Sequence, residues 1–507
     1  MKTYHTIKTL ALGGIAMFSL ASCSLDYEPL SEPSEITQGG QTETSTAVLK
    51  DKAAADAQLK SLYELFRNRQ EHTHLDYLLI GDSHSDNAYA GTTGAEVVPY
   101  ETNSIDASNS VLSRDWNRYL EDIAQANVLI NGVEQLKENG QISETEYHSY
   151  KAQGEIFRAL MMFRMARLWG SFPVITTIAK TITSENINEV YPTYYPPRKT
   201  PKECYEQIIA DLTDAEQYAP DNDNSDRTKM TKTVAQAMLA KVYAEKEVQD
   251  YDKVIAYADK VMNTTGVELE DSYETLWGYD ETAIDCMKRN TKEGILEVHW
   301  SGGGNWETWM YGRQLDNWDY YFTWAKWITP SRDIINDFDK EGDEVRKNQA
   351  IVYYACTWSN YYPASNYPFM YKLRSSYNNI YWVRLADIIL MKAEAEAYKG
   401  NLVESAKLVN QIRKRAKLKE LTSDKTGSKE SMIEAVLHER RLELAFEGER
   451  WFDLCRNNKV EQYLNGIDNR DSGRIRQVRQ FDSNSYLLPI PQTALDQNTN
   501  LEQNPGY

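Results

Sequence analysis

Residues 300–327 combine aromatic rings with polar side chains in a way that suits the binding of sugars. Six of the chain's 12 tryptophans lie in this stretch. A sugar ring has an apolar C–H face and polar edges, so an indole or phenol ring flanked by amide, carboxylate and guanidinium groups can bind it. Because Trp is usually largely buried, we expect about half of these tryptophans to be structural. The candidate ligand contacts are Asn305, Trp306, Trp309, Arg313, Asp316, Asn317, Trp318, Tyr320 and Trp324.

Residues 81–87 read Gly-Asp-Ser-His-Ser-Asp-Asn, and they resemble the first block of the GDS-type esterases, in which the serine is a nucleophile that follows a strand. That chemistry needs a histidine base, which those enzymes supply from a late Asp-x-x-His motif. Beyond residue 148 the only histidines are His299 and His438, and neither has an aspartate three residues earlier. Although residues 78–80 could form the strand, the sequence favours a polar turn in which Asp82 and Asp86 cap backbone groups or accept hydroxyls.

Other catalytic patterns are missing from the sequence. His438-Glu439 is followed by Leu442 where a His-Glu-x-x-His zinc site needs a second histidine. There is no Walker loop and no dinucleotide-binding glycine pattern, so we expect no metal and no cofactor. A carboxylate pair for glycoside hydrolysis stays open, because acidic residues are abundant and their separation cannot be deduced from sequence.

The elements that must position these residues are mostly helices. Apolar residues recur three and four positions apart over long stretches, so we predict a predominantly α fold with little sheet. Gly170 and Pro173 should end the third helix, and Pro201 should open the fourth. The predicted helices are at about 49–69, 113–136, 143–169, 201–218, 230–247, 251–263, 381–399, 402–417 and 429–447.

Two of these helix pairs look like copies of one unit. Residues 235–262 and 386–413 match at an offset of 151, which places Leu239 on Leu390 and Lys241 on Lys392. Each copy is a helix, a tight turn and a second helix, with small residues where the helices would cross. This is typical of tetratricopeptide-like hairpins, although any antiparallel helix pair with alanine at the contact would look similar.

Several long motifs resemble the SusD/RagB family of outer-membrane nutrient-binding lipoproteins. The longest reads Glu-Arg-Arg-Leu-Glu-Leu-Ala-Phe-Glu-Gly-Glu-Arg-Trp-Phe-Asp-Leu from residue 439. On a helix, Arg440, Glu443 and Glu447 would stand three or four apart, so we expect ion pairs that order a helix junction. Gly448 should end that helix before Trp451 packs back. The resemblance is carried by residues 158–173, 384–395, 439–456, 488–491 and 500–507.

The resemblance implies a function and a partner. A member of this family binds a glycan, or in some members a peptide, at the cell surface and hands it to a SusC-type TonB-dependent transporter. The implied fold is a SusD-like helical platform with a loop-rich ligand side, and the family is not enzymatic. Because the family also places ligand contacts in an early loop, Asp86, Asn87 and Tyr89 are further candidates. The alternatives are a peptide-binding RagB-like protein and, less favoured, an esterase or glycoside hydrolase.

The N-terminus predicts export and lipidation. Lys2 and Lys8 precede a short apolar run, and Leu-Ala-Ser-Cys23 has the pattern of a lipobox. We therefore expect residues 1–22 to be a signal peptide, Cys23 to be acylated and residues 23–46 to be a flexible acidic tether. The predicted location is the outer membrane, with the protein lipid-anchored and facing the exterior.

The mature binding domain is predicted to span residues 47–507. Tetratricopeptide-like helices are expected at about 201–263 and 381–447, and a loop-rich ligand region at about 264–380. Loss of Lys2 and Lys8 changes the net charge from −19 to −21, which argues against a nucleic-acid partner. In an oxidising compartment Cys286 and Cys356 could form a disulfide, and the sequence does not decide whether they do.

Overall fold

The computed structural model describes residues 49–91, 94–300, 327–356, 359–375 and 377–507, and most of them are helical. The α-helices are α1 Lys52–Asn68, α2 Asp76–Leu78, α3 Val98–Thr102, α4 Ser110–Glu138, α5 Glu144–Trp169, α6 Ile187–Val190, α7 Pro201–Tyr218, α8 Lys232–Ala244, α9 Tyr251–Met262, α10 Glu274–Trp277, α11 Arg332–Glu341, α12 Glu344–Ala350, α13 Leu385–Lys399, α14 Leu402–Arg415, α15 Ser423–Thr426, α16 Lys429–Glu443, α17 Arg450–Arg456, α18 Val460–Leu464, α19 Ile467–Arg470 and α20 Gln492–Gln497.

Short helical turns and small sheets complete the described fold. Wide i→i+5 turns, Glu71–Leu75 and Leu79–Ser83, flank α2 and make residues 71–83 one continuous helical segment. Four two-stranded antiparallel sheets pair β1 with β5, β2 with β3, β4 with β8, and β6 with β7. The strands are β1 Ala88–Tyr89, β2 Tyr279–Asp280, β3 Asp285–Cys286, β4 Gly294–His299, β5 Thr329–Pro330, β6 Ile351–Tyr354, β7 Tyr367–Met370 and β8 Asn379–Arg384; the 3₁₀ turns are Tyr191–Tyr194, Lys246–Val248, Ala364–Asn366 and Ser483–Tyr486.

The predominantly α prediction is confirmed, and the helix ends follow from capping chemistry. Ser143 opens α5 by a reciprocal bond with Glu146, and Thr200 opens α7 in the same way with Glu203. These side chains satisfy N–H groups that the first helical turn leaves without partners. Each of the nine predicted helices is present, within a few residues of its expected bounds.

The long helices pack side by side in the order α1, α4, α5, α7, α8, α9, α13, and then α14 and α16. The two matched helix pairs are neighbours, because α9 of the first packs on α13 of the second. Lys241 of the first copy forms an ion pair with Asp387 of the second, and Lys392 of the second binds Asp259 of the first at 2.6 Å. Lys241 and Lys392, which occupy matching positions in the two copies, thus each form an ion pair with the other tetratricopeptide-like hairpin.

The structure corrects four details of the sequence prediction. Residues 379–384 form β8, so the helix expected from residue 381 begins only at Leu385. The region 264–380 is not simply loop-rich, because it contains α11 and α12 as well as strands. Helix α16 ends at Glu443, earlier than residue 447. Residues 78–80 are helical and do not form the strand that an esterase nucleophile would follow.

The core is formed by one large cluster that spans the helical stack. Trp116, Trp169, Trp382 and Trp451 belong to this cluster, and Trp382 lies on β8 whereas the other three lie on helices. Cys286 and Cys356 are not joined by a disulfide in the described part of the chain. None of the helices that the structure describes is both long and apolar enough to span a membrane.

Candidate ligand-binding site

The turn at residues 81–87 is buried and fastened to the C-terminal signature. Asp86 is fully buried, and its two carboxylate oxygens accept hydrogen bonds from Arg450 at 2.8 and 2.9 Å. Arg441 lies 3.4 Å away and Arg470 3.7 Å away. Burial alone would raise the pKa of Asp86, but the guanidinium groups of Arg441 and Arg450 outweigh it and hold this pKa below its usual range. Asp86 is therefore an ionised anchor.

Two neighbours of Asp86 complete the anchor. Asn87 donates to Asp82 at 2.8 Å and accepts from Arg441 at 2.9 Å. Asp82 also accepts the backbone N–H groups of Phe446 and Gly448, at 3.1 and 2.9 Å. The expectation that Asp82 caps backbone groups is therefore correct. Asp86 and Asn87 are both fully buried, so in this structure they position the turn and do not present their side chains to solvent.

Tyr89 follows the turn on β1 and opens a cluster of tyrosines. Its ring stacks on Tyr361 with centroids 4.3 Å apart and lies 6.1 Å from Tyr362, which in turn meets Tyr367 at 5.7 Å. We call Tyr89, Tyr361, Tyr362 and Tyr367 the tyrosine cluster. Tyr89 is fully buried, whereas Tyr362 is half-buried and is the ring of the cluster nearest to solvent.

Charged groups hold the tyrosine cluster in place. Tyr89 donates to Asp471 at 2.6 Å and accepts the backbone N–H of Arg332 at 3.0 Å. The Arg332 guanidinium lies 4.2 Å from the centre of the Tyr362 ring. Burial, reinforced by the Asp471 carboxylate, raises the pKa of Tyr89 above its ordinary value, so the phenol stays neutral and donates. Sequence reasoning missed Arg332 and Asp471, which carry no local signal.

The two end residues of the tryptophan-rich segment, Trp300 and Trp327, are both in contact with the rest of the described fold. Trp300 packs edge-on against His74, with centroids 6.2 Å apart, and its backbone N–H donates to Asn378 O at 3.0 Å. At the other end, the carbonyl of Trp327 accepts a 2.9 Å hydrogen bond from Ser83. The ring of Trp300 and the carbonyl of Trp327 therefore both contact the helical segment 71–83, through His74 and Ser83. The remaining candidates, Asn305, Trp306, Trp309, Arg313, Asp316, Asn317, Trp318, Tyr320 and Trp324, lie outside the described residues.

The esterase hypothesis fails on geometry. Ser83 is fully buried, and its hydroxyl is occupied by the Trp327 carbonyl. The adjacent His84 bonds to the backbone carbonyl of Tyr100, and burial lowers the pKa of His84 to about 4. A hydroxyl that reaches neither solvent nor a base cannot act as a nucleophile. Among the residues that the structure describes, no group of three or more His, Cys, Asp or Glu could hold a metal ion.

Arg440, Glu443 and Glu447 form ion pairs, as predicted, but their partners are other residues and not one another. Arg440 binds Asp387 and Asp453, each at 2.8 Å. Glu443 binds Arg384 at 2.6 Å and Arg346 at 3.2 Å. Helix α16 ends at Glu443, so Gly448, with φ of 81°, lies in the turn before the buried Trp451 and does not end the helix as expected. The signature is therefore the scaffold that fixes the turn at Asp86.

These elements form a scaffold of helical hairpins. Charged residues of its C-terminal signature hold the turn at residues 81–87, and the tyrosine cluster follows that turn. A family model described as "SusD family" matches residues 348–507, and a second, described as "Starch-binding associating with outer membrane", matches residues 41–244. The chain belongs to the SusD/RagB family, which confirms the resemblance found in its motifs.

Relatives match over most of the chain. A SusD-like protein of Formosa agariphila is 27% identical over 440 residues, which cover 79% of this chain and 81% of the relative. A SusD-like protein of Bacteroides ovatus is 24% identical over 420 residues, covering 74% and 70%.

Solved structures share the fold. A SusD superfamily protein from Bacteroides vulgatus has a TM-score of 0.73 at 21% identity, covering 91% of this chain and 100% of that chain. A laminarin-binding SusD-like protein has a TM-score of 0.70 at 22% identity, covering 90% and 100%.

Proposed function

We propose that this protein binds an oligosaccharide or polysaccharide at the outer membrane and delivers it to a SusC-type TonB-dependent transporter. The observation that carries the proposal is family membership, with one matching model described as starch-binding and associated with the outer membrane. A structural neighbour named as laminarin-binding, which has the same fold, adds support.

The ligand is proposed to lie on an aromatic platform drawn from residues 300–327, beside the tyrosine cluster. Both ends of that segment contact residues 71–83, and the cluster follows the same helical segment on β1. Tyr362 offers a half-exposed ring next to the Arg332 guanidinium, a pairing of apolar and polar groups that suits a sugar. Asp86, Asn87 and Tyr89 act in this proposal by holding the platform.

Calorimetry with a glycan panel tests the platform. Trp306→Ala and Trp318→Ala should each weaken binding of the cognate glycan by about 1 kcal/mol or more, since each removes a stacking ring. Their melting temperatures should match the wild type. If both variants bind as tightly as the wild type, the platform lies elsewhere, and the stretch from Tyr353 to Tyr371 becomes the better candidate.

Membrane attachment and partnership are proposed from the sequence. Cys23 and residues 24–46 lie outside the described residues; we propose that Cys23 is lipidated and that the tether places the domain on the outer face of the membrane. Pull-down from detergent-solubilised outer membranes should recover a TonB-dependent barrel with the protein. Recovery of the protein alone in mild detergent would contradict the partnership.

The protein is proposed to bind its ligand without turnover. The buried Ser83 and the relation to a binding family both argue against hydrolysis. After long incubation with a glycan panel, mass spectrometry should find the glycans unchanged. Peptide binding is the second candidate within the family, and selective enrichment of peptides with no glycan bound would favour it.

A further inference from the structure

A cavity with a volume of about 650 Å³ lies between α1, the turn before α8, and β4. Its walls include Tyr63 and Arg67 of α1, Arg289, His299 of β4, and Tyr377. Among the described residues that line it, none belongs to the tyrosine cluster. The volume falls within the range of roughly 300–1,000 Å³ that small-molecule sites occupy. Its walls stand on a helix and a strand, which hold side chains more firmly than loops do.

Two arginines at this cavity have donors that the protein leaves unused. Arg289 donates through Nη2 to Trp300 O at 2.6 Å and to Asp285 at 2.5 Å, but its Nη1 is buried without a hydrogen-bond partner. Arg67 forms no ion pair with any residue that the structure describes, and its Nε reaches Asn68 Oδ1 only at 3.3 Å. Buried donors are nearly always satisfied, so a ligand rich in oxygen atoms would explain the unpaired Nη1 of Arg289, and the exposed guanidinium of Arg67 offers it further donors.

His299 supplies the complementary acceptor. Its Nε2 lies 2.8 Å from Glu297 Oε2, and that carboxylate also accepts the backbone N–H groups of Asn290 and Thr291 at 2.9 and 2.8 Å. The hydrogen bond to Glu297 occupies Nε2 and leaves Nδ1 as the ring nitrogen that a ligand can contact. The cavity therefore presents donors and an acceptor, which matches hydroxyl groups that both give and receive hydrogen bonds.

The charges of the lining balance. Four cationic side chains face four carboxylates around the cavity, so neither an anion nor a cation is favoured over a neutral molecule. Tyr63, Phe66 and Tyr377 add apolar surface. The cations are Lys60, Arg67, Lys229 and Arg289, and the carboxylates are Glu64, Asp226, Asp285 and Glu297.

We infer that this cavity is a second saccharide-binding site, which takes a short neutral oligosaccharide through Arg67, Arg289, His299 and Tyr377. The inference rests on the proposed glycan-binding function, but it places a contact outside the tyrosine cluster. A long glycan could engage the two sites in turn, and its avidity would then exceed that of either site.

The test uses maltoheptaose and laminariheptaose as probes with the full chain. Amide hydrogen exchange should slow on addition of a bound probe in peptides covering α1 and β4. The double variant Arg67→Ala/Tyr377→Ala should lose this protection and bind the probe about tenfold more weakly, because it lacks one ring and one charged donor. Arg118→Ala is the matched control, since it removes an exposed arginine from α4, away from the cavity.

The outcomes distinguish failure of this inference from failure of the proposed function. If the wild type binds a probe and the double variant binds it equally well with the same protection, the cavity is not a saccharide site although the glycan-binding function stands. If the wild type binds no probe or other glycan, the proposed function fails and this inference fails with it. Protection of α1 and β4 by peptides but by no glycan would also overturn the saccharide assignment.

Discussion

Two buried aspartates four residues apart have opposite electrostatic surroundings. Asp82 meets neutral donors, so burial raises its pKa to about 7, whereas the arginines around Asp86 hold the pKa of that carboxyl below its usual range. In the unfolded chain both would titrate near pH 4. The folded state therefore keeps a proton on Asp82, between about pH 4 and pH 7, that the unfolded state has lost. This proton stabilises the folded state fully below about pH 4, and the stabilisation is lost as the pH rises through 7.

Asp82→Asn should accordingly change how stability depends on pH. The difference in unfolding free energy between wild type and variant should shrink as the pH rises from 5 to 8, by on the order of 1 kcal/mol per pH unit at most. Denaturant titrations at four pH values measure it. A constant difference over this range would show that Asp82 titrates normally.

Asp86→Asn is the matched comparison and carries its own prediction. Because Asp86 is ionised in both the folded and the unfolded chain above pH 5, its substitution should cost the same at every pH from 5 to 8. The cost should be about 3–5 kcal/mol, since Arg450 would remain buried without its carboxylate partner, whereas Arg441 keeps Asp333 and Asp337. A loss below about 1 kcal/mol would show that Arg450 finds another partner.

Ser83 gives a prediction that separates structure from catalysis. Ser83→Ala removes a buried hydrogen bond to the Trp327 carbonyl, so it should lower stability by about 1–3 kcal/mol. Esterase assays with chromogenic acetate esters should read the same background for both proteins. Wild-type turnover that disappears in the variant would restore the hydrolase hypothesis.

At the scale of elements, a close backbone approach joins residues 71–83 to the turn after α16. A Cβ on Gly81 would lie 2.3 Å from the carbonyl oxygen of Gly448, and the backbone there cannot yield as a side chain can. Gly154 in α5 offers a contrast, because a Cβ there would meet only side chains, Ile130 at 2.9 Å and Leu129 at 3.4 Å. Both glycines are helical, so their intrinsic propensities are matched.

Gly81→Ala should therefore destabilise the protein by more than about 2 kcal/mol, whereas Gly154→Ala should change its stability much less. Thermal melts of both variants measure the difference. Equal melting temperatures would mean that the two backbones separate readily, and that the clamp between the early turn and the C-terminal signature is loose.

The elements also show what the sequence could predict. Helices were found because their apolar period is local, whereas α16 ends at Glu443, before the Gly448 that was expected to end it. Residues 381–384 were misassigned to a helix although Tyr381, Trp382 and Val383 favour strands, since a strong helical period follows directly. Helix α11 was missed, although Ser331 caps it and Ile334 and Phe338 mark its buried face.

The candidate site was less predictable for a physical reason. The anchor of Asp86 is Arg450, which lies 364 residues further along the chain, and no spacing rule connects such partners. The same holds for Tyr89 and Asp471, which are 382 residues apart. Composition indicated the aromatic segment and the family resemblance indicated the early turn, but only the fold shows that Asp86 and Asn87 face inward.

In the whole molecule, the two regions matched by family models share one core. Lys241 of the N-terminal region binds Asp387 and lies 3.2 Å from Glu449, while Arg167 lies 3.0 Å from the same glutamate. All of these side chains are buried. A fragment that kept only one partner of each pair would bury uncompensated charge.

Residues 49–263 and 264–507 expressed separately should therefore fail to fold, and co-expression should restore a soluble complex. Near-ultraviolet circular dichroism of each fragment and of the mixture measures this. The full chain should melt in a single transition. A fragment that melts cooperatively on its own would show that the shared ion pairs are dispensable.

The way in which the tryptophan-rich segment joins the scaffold has an evolutionary consequence. Trp300 and Trp327 are both held by residues 71–83, while the pairing of β4 with β8 closes the base beside them. Between such fixed ends, the entropic cost of a longer insert grows only slowly, by about 0.6 kcal/mol for each doubling of length. Selection can therefore lengthen this part of the chain without rebuilding the scaffold.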